Sequence, residues 1–245
     1  MTNPTTTKRI ALITGANKGL GFEIARQLGQ QHHTVLVGAR DAERGERAAQ
    51  HLRGEGLDAH FVPLAVTSDA SVTAAATLIE ERFGRLDVLV NNAGISLDDA
   101  PPSQLSFERL IETYDTNVFG VVRVTQALLP LLRRSDRARI VNMGSAMGSL
   151  TYTSDPENMR SGILLLAYAS SKAALHSVTV QFANELRAEG IKVNVADPGY
   201  APTDLSGGQG FNTIEEGAGP AVRLATLDEN GPTATILALE GVIPW

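Results

Sequence analysis

The chain of 245 residues is 43% hydrophobic and 20% charged with a formal net charge of −6, the balance of a soluble globular protein and the wrong sign for a nucleic-acid partner. It has no cysteine, which excludes disulfides, thiol nucleophiles and thiolate metal sites. Met1 to Thr7 lacks the apolar core of a secretory signal, and no apolar run approaches the roughly 18 residues that span a bilayer. The expectation is a cytoplasmic protein with a flexible tail over residues 1–7 and no membrane partner.

From there the chain alternates. Arg9 to Thr14 is a short apolar run of buried-strand type, followed by a glycine-rich turn and helical spacing over Phe22 to Gln30. Thr34 to Gly38 reads as a second strand, and Asp41 as the cap of a charged helix reaching about Arg53. His60 to Val66 is a third strand, and Ser68 or Asp69 opens a helix that runs to Phe83 before Gly84. Leu86 to Asn91 is a fourth strand, ahead of a long helical region from Ser106 to Arg134 with Pro130 as a kink near its end. Arg139 to Met143 and Ile191 to Val195 are strands flanking a helix from Tyr168 to Glu189, and Thr235 to Leu239 closes the sheet. Asp204 to Pro220, rich in glycine, fits a mobile substrate-covering lid and an ordinary surface loop equally well. With no repeat or linker, residues 1–245 read as one domain.

Strand–helix alternation with continuously apolar strands implies a parallel sheet, either doubly wound or closed into an eight-fold barrel. The first turn decides for the doubly wound (Rossmann) α/β sheet. Thr14-Gly15-Ala-Asn17-Lys18-Gly19-Leu20-Gly21 stands between a strand and a helix. Glycines there let the backbone approach a pyrophosphate seated on the helix's positive end.

The chemistry centres on Tyr168-Ala-Ser-Ser-Lys172, a phenol and an ammonium on one helix face. A free tyrosine titrates near 10, and lowering that by about three units requires roughly 4 kcal/mol of phenolate stabilisation. One cation about 4 Å away, at an effective dielectric of about 20, supplies roughly that amount. Tyr168 beside Lys172 can thus act as a general acid/base, although the same spacing alone fits any helix with one buried tyrosine and one exposed lysine.

Together, Thr14-Gly15-x-x-x-Gly19-x-Gly21, Asn91-Asn92-Ala93-Gly94, Asn117, Ser145, Tyr168-x-x-x-Lys172 and Pro198-Gly199 make the chain resemble the short-chain dehydrogenase/reductase family over nearly its whole length. Gly15-Ala-Asn17-Lys18-Gly19-Leu20-Gly21 and the final Ile243-Pro-Trp245 resemble its carbonyl-reductase-like branch. The resemblance implies that Tyr168 donates a proton to a substrate carbonyl as hydride arrives, or accepts one in reverse. It implies that Lys172 depresses the phenol's pKa and bonds the nicotinamide ribose, that Ser145 holds the carbonyl oxygen, and that Asn117 fixes a proton-relaying water. The glycine turn, Val66, Asn91, Ala93 and Gly94 would line the cofactor, with Asn91 to Gly94 also stabilising the sheet. Pro198 and Gly199 would run along the nicotinamide, and Thr203 would bond its carboxamide.

Cofactor choice turns on the end of the second strand, where an acidic residue would bind a ribose diol. Here the strand ends Gly38-Ala39-Arg40, and Lys18 lies in the glycine turn. Two cations at the ribose edge favour the 2′-phosphate of NADP(H) over NAD(H), with Asp41 taken as a helix cap. Two departures from the family stand out. Ala65 occupies the position of a usual adenine-binding acid, with Thr67 the nearest substitute, and extra residues lie between Ser145 and Tyr168, within Tyr152 to Leu166. Tyr152 is a rival acid/base only in principle, having no lysine four residues on. A homo-oligomer is the default, with a monomer close behind. His32 and His33 are expected in solvent, and His51, His60 and His176 lack ligand spacing, so no metal site is expected. Arg133, Arg134, Arg137 and Arg139 read as a solvated basic cluster.

The expected function is an NADP(H)-dependent reductase of ketones or aldehydes, or a dehydrogenase of secondary alcohols, acting on small molecules. The alternatives are an NAD-dependent oxidative dehydrogenase and a non-catalytic dinucleotide-sensing module.

Overall fold

The computed structural model describes residues 8–245, so the expected tail over Met1 to Thr7 lies outside the described residues. The strands are β1 (Ile10–Thr14), β2 (Thr34–Ala39), β3 (Ala59–Pro63), β4 (Val88–Asn91), β5 (Arg139–Met143), β6 (Lys192–Ala196), β7 (Ile236–Ala238) and β8 (Gly241–Ile243). They form one sheet in the order β3-β2-β1-β4-β5-β6-β7-β8, parallel up to β7, with β8 antiparallel at the edge. One face carries α1 (Gly19–Gln30), α2 (Ala42–Gly54) and α8 (Ile214–Ala225); the other carries α3 (Asp69–Phe83), α5 (Gly120–Leu132) and α7 (Leu166–Leu186). Among the described residues there are two shorter α-helices, α4 (Phe107–Tyr114), which packs on α7, and α6 (Leu150–Thr153). Among the described residues no helix is long and apolar enough to cross a membrane.

The period-two geometry of strands explains how one sheet serves two cores. In β1, Ala11 and Ile13 face α1 and α8, while Ile10 and Leu12 face the α3/α5/α7 side. Each fully buried Leu or Ile contributes about 1.5–3 kcal/mol. Local signals place the helix ends. Asp41 accepts from Arg44 N at 2.9 Å, Ser68 caps α3, and Gly84 closes α3 with φ 73°. Asp41 is therefore engaged as the cap of α2.

Several expectations need correction. β3 ends at Pro63, not Val66, because its only partner β2 ends at Ala39 where the chain turns into the Asp41 cap. The helical region from Ser106 carries a π-turn at Asp115–Phe119 in its middle, closed by Gly120 N donating to Asp115 O. The glycine-rich span opens with a 3₁₀ turn at Asp204–Ser206 and is irregular only from there to Thr213. Helix α8 then begins with a capping box in which Glu216 N donates to Thr213 Oγ1 and Thr213 N donates to Glu216 Oε2. Gly217 and Ala218 are buried there, and a Cβ on Gly217 would lie 3.0 Å from Leu20, so small residues let α8 close on α1. The final strand β8 pairs Ile243 with Ile236.

Two residues expected in solvent are buried. His33 turns inward, its Nδ1 3.1 Å from Leu28 O, and burial lowers its pKa. Arg139 is 1% exposed and donates to Ala138 O, Leu227 O and Asp228 O, a set of backbone acceptors that substitutes for water. Arg133 and Arg134 do lie in solvent, paired with Glu189 and Glu80.

Candidate active site

Strand order reverses between β1 and β4, and open α/β sheets bind ligands at the carboxyl ends of strands at such a point. The motif residues gather there, after β1 (Gly15 to Gly21), β4 (Asn91 to Gly94), β5 (Ser145) and β6 (Pro198 to Thr203). Gly15 and Gly19 adopt φ of 65° and 56°, which disfavours any side chain. Gly21 is required for a different reason: a Cβ there would lie 2.4 Å from Asn92 Nδ2 and 2.7 Å from Gly15 O. Asn92 Nδ2 donates to Thr14 O at 2.8 Å and to Gly15 O at 3.3 Å, while Thr14 Oγ1 accepts from Asn92 N and Ala93 N. Asn92 thus holds the β1 and β4 turns together, which gives the expected stabilising role of the Asn91 to Gly94 segment a specific set of bonds.

Asn91 was expected to serve both sheet and cofactor; its side chain serves the sheet. Buried, it donates to Asn142 Oδ1 and Thr125 Oγ1, and Asn142 donates on to Thr179 Oγ1. Asn117, in the π-turn, was expected to hold a water. Its Oδ1 accepts from Ile95 N at 2.9 Å, and its Nδ2 donates to Ile95 O at 2.8 Å and to Ser171 Oγ at 3.0 Å. Both amide donors are spent on the protein, so the side chain clasps the loop after β4.

Ser145, Tyr168 and Lys172 do meet. The Ser145 side chain works against the rise in the Tyr168 pKa, and Ser145 Oγ accepts from Met147 N. Lys172 is buried with its Nζ 5.5 Å from the centre of the Tyr168 ring, donating to Met143 O at 2.7 Å. The electrostatics correct the expectation of a lowered phenol. Burial pushes Tyr168 up to about 12, against the Ser145 hydrogen bond, with the Asp197 carboxylate adding to the rise. Burial likewise brings Lys172 down to about 8, partly offset by Asp197. The ammonium faces the ring and a carbonyl, so dehydration outweighs its attraction for a phenolate. Asp197, itself raised by burial, was missed; its only signal was its place beside Pro198-Gly199.

At the opposite end, Lys18 and Arg40 do not form a pair. Lys18 Nζ contacts Asp204 Oδ2, linking the glycine turn to the loop after β6, and Arg40 is exposed just beyond β2. An open cavity of about 440 Å³ beside the turn is lined by Asn17, Lys18, Phe22, Arg44, Arg47 and His51. Arg44 and Arg47 are additional cations there, placed by the Asp41 cap one turn upstream. Thr203 Cγ2 lies 4.0 Å from where a Gly19 Cβ would be, so the β1 and β6 loops face each other across a narrow groove. Val66 packs against Gly120, its carbonyl accepting from Arg123 at 2.8 Å, and Ala65 N donates to Ser71 Oγ. Pro198 O lies beside α8, and Gly199, at φ 67°, donates its N–H to Asp197 Oδ1. The segment between Ser145 and Tyr168 holds α6 and a 3₁₀ turn at Met159–Gly162, with Tyr152 under the Arg160 guanidinium.

A doubly wound sheet with a glycine turn at its switch point and a phenol–ammonium pair beside it defines a dinucleotide-dependent oxidoreductase. Residues 9–210 match the family described as short chain dehydrogenase, and the chain belongs to that family. It is 42% identical over 228 residues to the short-chain dehydrogenase anuI of Penicillium roqueforti, covering 90% of this chain and 89% of that one. It is 32% identical to salutaridine reductase of Papaver somniferum, with 94% of each chain covered. Among solved structures, NADPH-bound carbonyl reductase from chicken fatty liver superposes with a TM-score of 0.86 at 30% identity, covering 97% of this chain and 99% of that one.

Proposed function

We propose that this chain is an NADP(H)-dependent carbonyl reductase, able to run in reverse on secondary alcohols, with Tyr168 as the general acid/base. The convergence of Ser145, Tyr168 and Lys172 carries the reading. The groove suits the coenzyme: two left-handed glycines and a third with no room for a side chain bring backbone against the N-terminus of α1, where a pyrophosphate is favoured. Gly15 to Gly21 would hold the pyrophosphate, and Pro198, Gly199, Thr203 and Gly94 the nicotinamide end. Lys18, Arg44 and Arg47, with Arg40 nearby, would meet a 2′-phosphate, and the NADPH carried by the chicken carbonyl reductase supports that choice.

When bound, the nicotinamide supplies the hydride. Tyr168 holds the proton that the substrate oxygen takes, and a phenol raised by burial is protonated at neutral pH, as a donor must be. Ser145 donates a hydrogen bond toward the same oxygen as negative charge develops there. Lys172, its ammonium fixed by Met143 O, would stabilise the phenolate left behind.

The test is NADPH and NADH consumption against a panel of ketones and aldehydes, in wild type and Tyr168→Phe. The variant should lose at least a thousandfold in kcat while binding NADPH as before. Near-wild-type turnover in Tyr168→Phe would remove the acid/base assignment, and equal rates with both coenzymes would remove the coenzyme assignment.

A further inference from the structure

The helix carrying Tyr168 begins without a cap of its own. Leu165 holds the N-cap position and has no side chain to offer the first free amides of α7. A carboxylate from far along the chain does so instead. Asp98 Oδ1 accepts from Ala167 N at 2.8 Å, and Asp98 Oδ2 accepts from Tyr168 N at 2.9 Å. Tyr168 is held at its other backbone group as well: Ser171 Oγ donates to Tyr168 O at 2.7 Å and accepts from Asn117 Nδ2. Asn117 in turn clasps both backbone groups of Ile95, three residues before Asp98. A Cβ on Gly94 would lie 3.7 Å from Lys172 Nζ, so this loop also borders the ammonium.

We infer that Asp98 is a positioning residue that bolts the loop after β4 to the helix N-terminus, fixing where Tyr168 presents its phenol. The loop that leaves β4 at the cofactor groove and the helix that carries the acid/base become one rigid unit, joined at Asp98 and again at Asn117. Charge-assisted hydrogen bonds to two adjacent amides hold orientation as well as position, because both carboxylate oxygens are committed. A small displacement of a proton donor is enough to lower a rate by about two orders of magnitude. The bolt therefore acts on turnover more than on coenzyme binding.

The inference rests on Tyr168 being the acid/base, and its test has an arm that does not. In Asp98→Ala, kcat should fall tenfold or more with the NADPH dissociation constant within threefold of wild type; Asp98→Asn, which keeps one acceptor, should lie between. By hydrogen exchange, segments 94–100 and 165–170 should both exchange at least tenfold faster in Asp98→Ala. Adding Leu165→Ser supplies a local cap, and should slow 165–170 alone without restoring kcat. A kcat within twofold of wild type, or full rescue by Leu165→Ser, would overturn the proposal, as would an effect confined to the KM for the carbonyl substrate. A wild type inactive on every carbonyl, yet with both segments loosened together in Asp98→Ala, would remove the acid/base reading and leave the bolt standing.

Discussion

Replacing Lys172 with methionine should make the protein more stable and inactive. Lys172 is 4% exposed, and burial brings its ammonium from 10.5 to about 8. At about 1.4 kcal/mol per pH unit, that displacement is an unfavourable contribution of about 3 kcal/mol to the folded state at neutral pH. Methionine has similar length and no charge to dehydrate. Its substitution leaves Met143 O without the donor now 2.7 Å away, a loss of about 1 kcal/mol. The net gain is about 2 kcal/mol, or about 4–8 °C in Tm for a chain of this size. The pH dependence gives a second signature. Because the folded pKa is depressed, the unfolded chain binds more protons between about pH 8 and 10.5, and wild type gains stability across that window. The difference between variant and wild type should be full below pH 8 and close as pH approaches 10. Urea unfolding of both proteins at pH 7 and pH 10, beside a turnover assay, measures it. A variant less stable than wild type at pH 7, or a gap that ignores pH, would refute the argument that Lys172 is held at a cost for its chemistry.

Gly21→Ala should destabilise by about 2–4 kcal/mol, because its methyl displaces Asn92 from Thr14 O and Gly15 O and presses on backbone. Chemical unfolding would show it, and a change under about 0.5 kcal/mol would mean the turn relaxes freely. Asp204→Asn frees Lys18 from a solvent-exposed ion pair, so NADPH should bind a few-fold tighter and NADH unchanged. Fluorescence titration of both coenzymes checks this; equal tightening would show that Lys18 does not meet the 2′-phosphate.

What the sequence made legible was what local rules govern. Caps at Asp41 and Ser68, the αL glycine at position 84 and the bounds of β5 follow from neighbours a few residues apart. Helix α8 was hidden because Gly217, Gly219 and Pro220 resemble loop composition, although the Thr213/Glu216 capping box was present to be read. Asp98 left no such trace: a cap delivered from 69 residues away has no periodicity. The spacing of Tyr168 and Lys172 showed that they share a helix face, and the expectation of a depressed phenol assumed that facing each other was enough. Spacing does not encode the dielectric. The fold buries the ammonium, hands it to Met143 O and leaves the phenol half-buried in a poorly hydrated place, so each is pushed toward its neutral form. In the proposed reaction that direction would suit a donor that must arrive at the substrate with its proton on, and the buried cation would matter most after the proton has left.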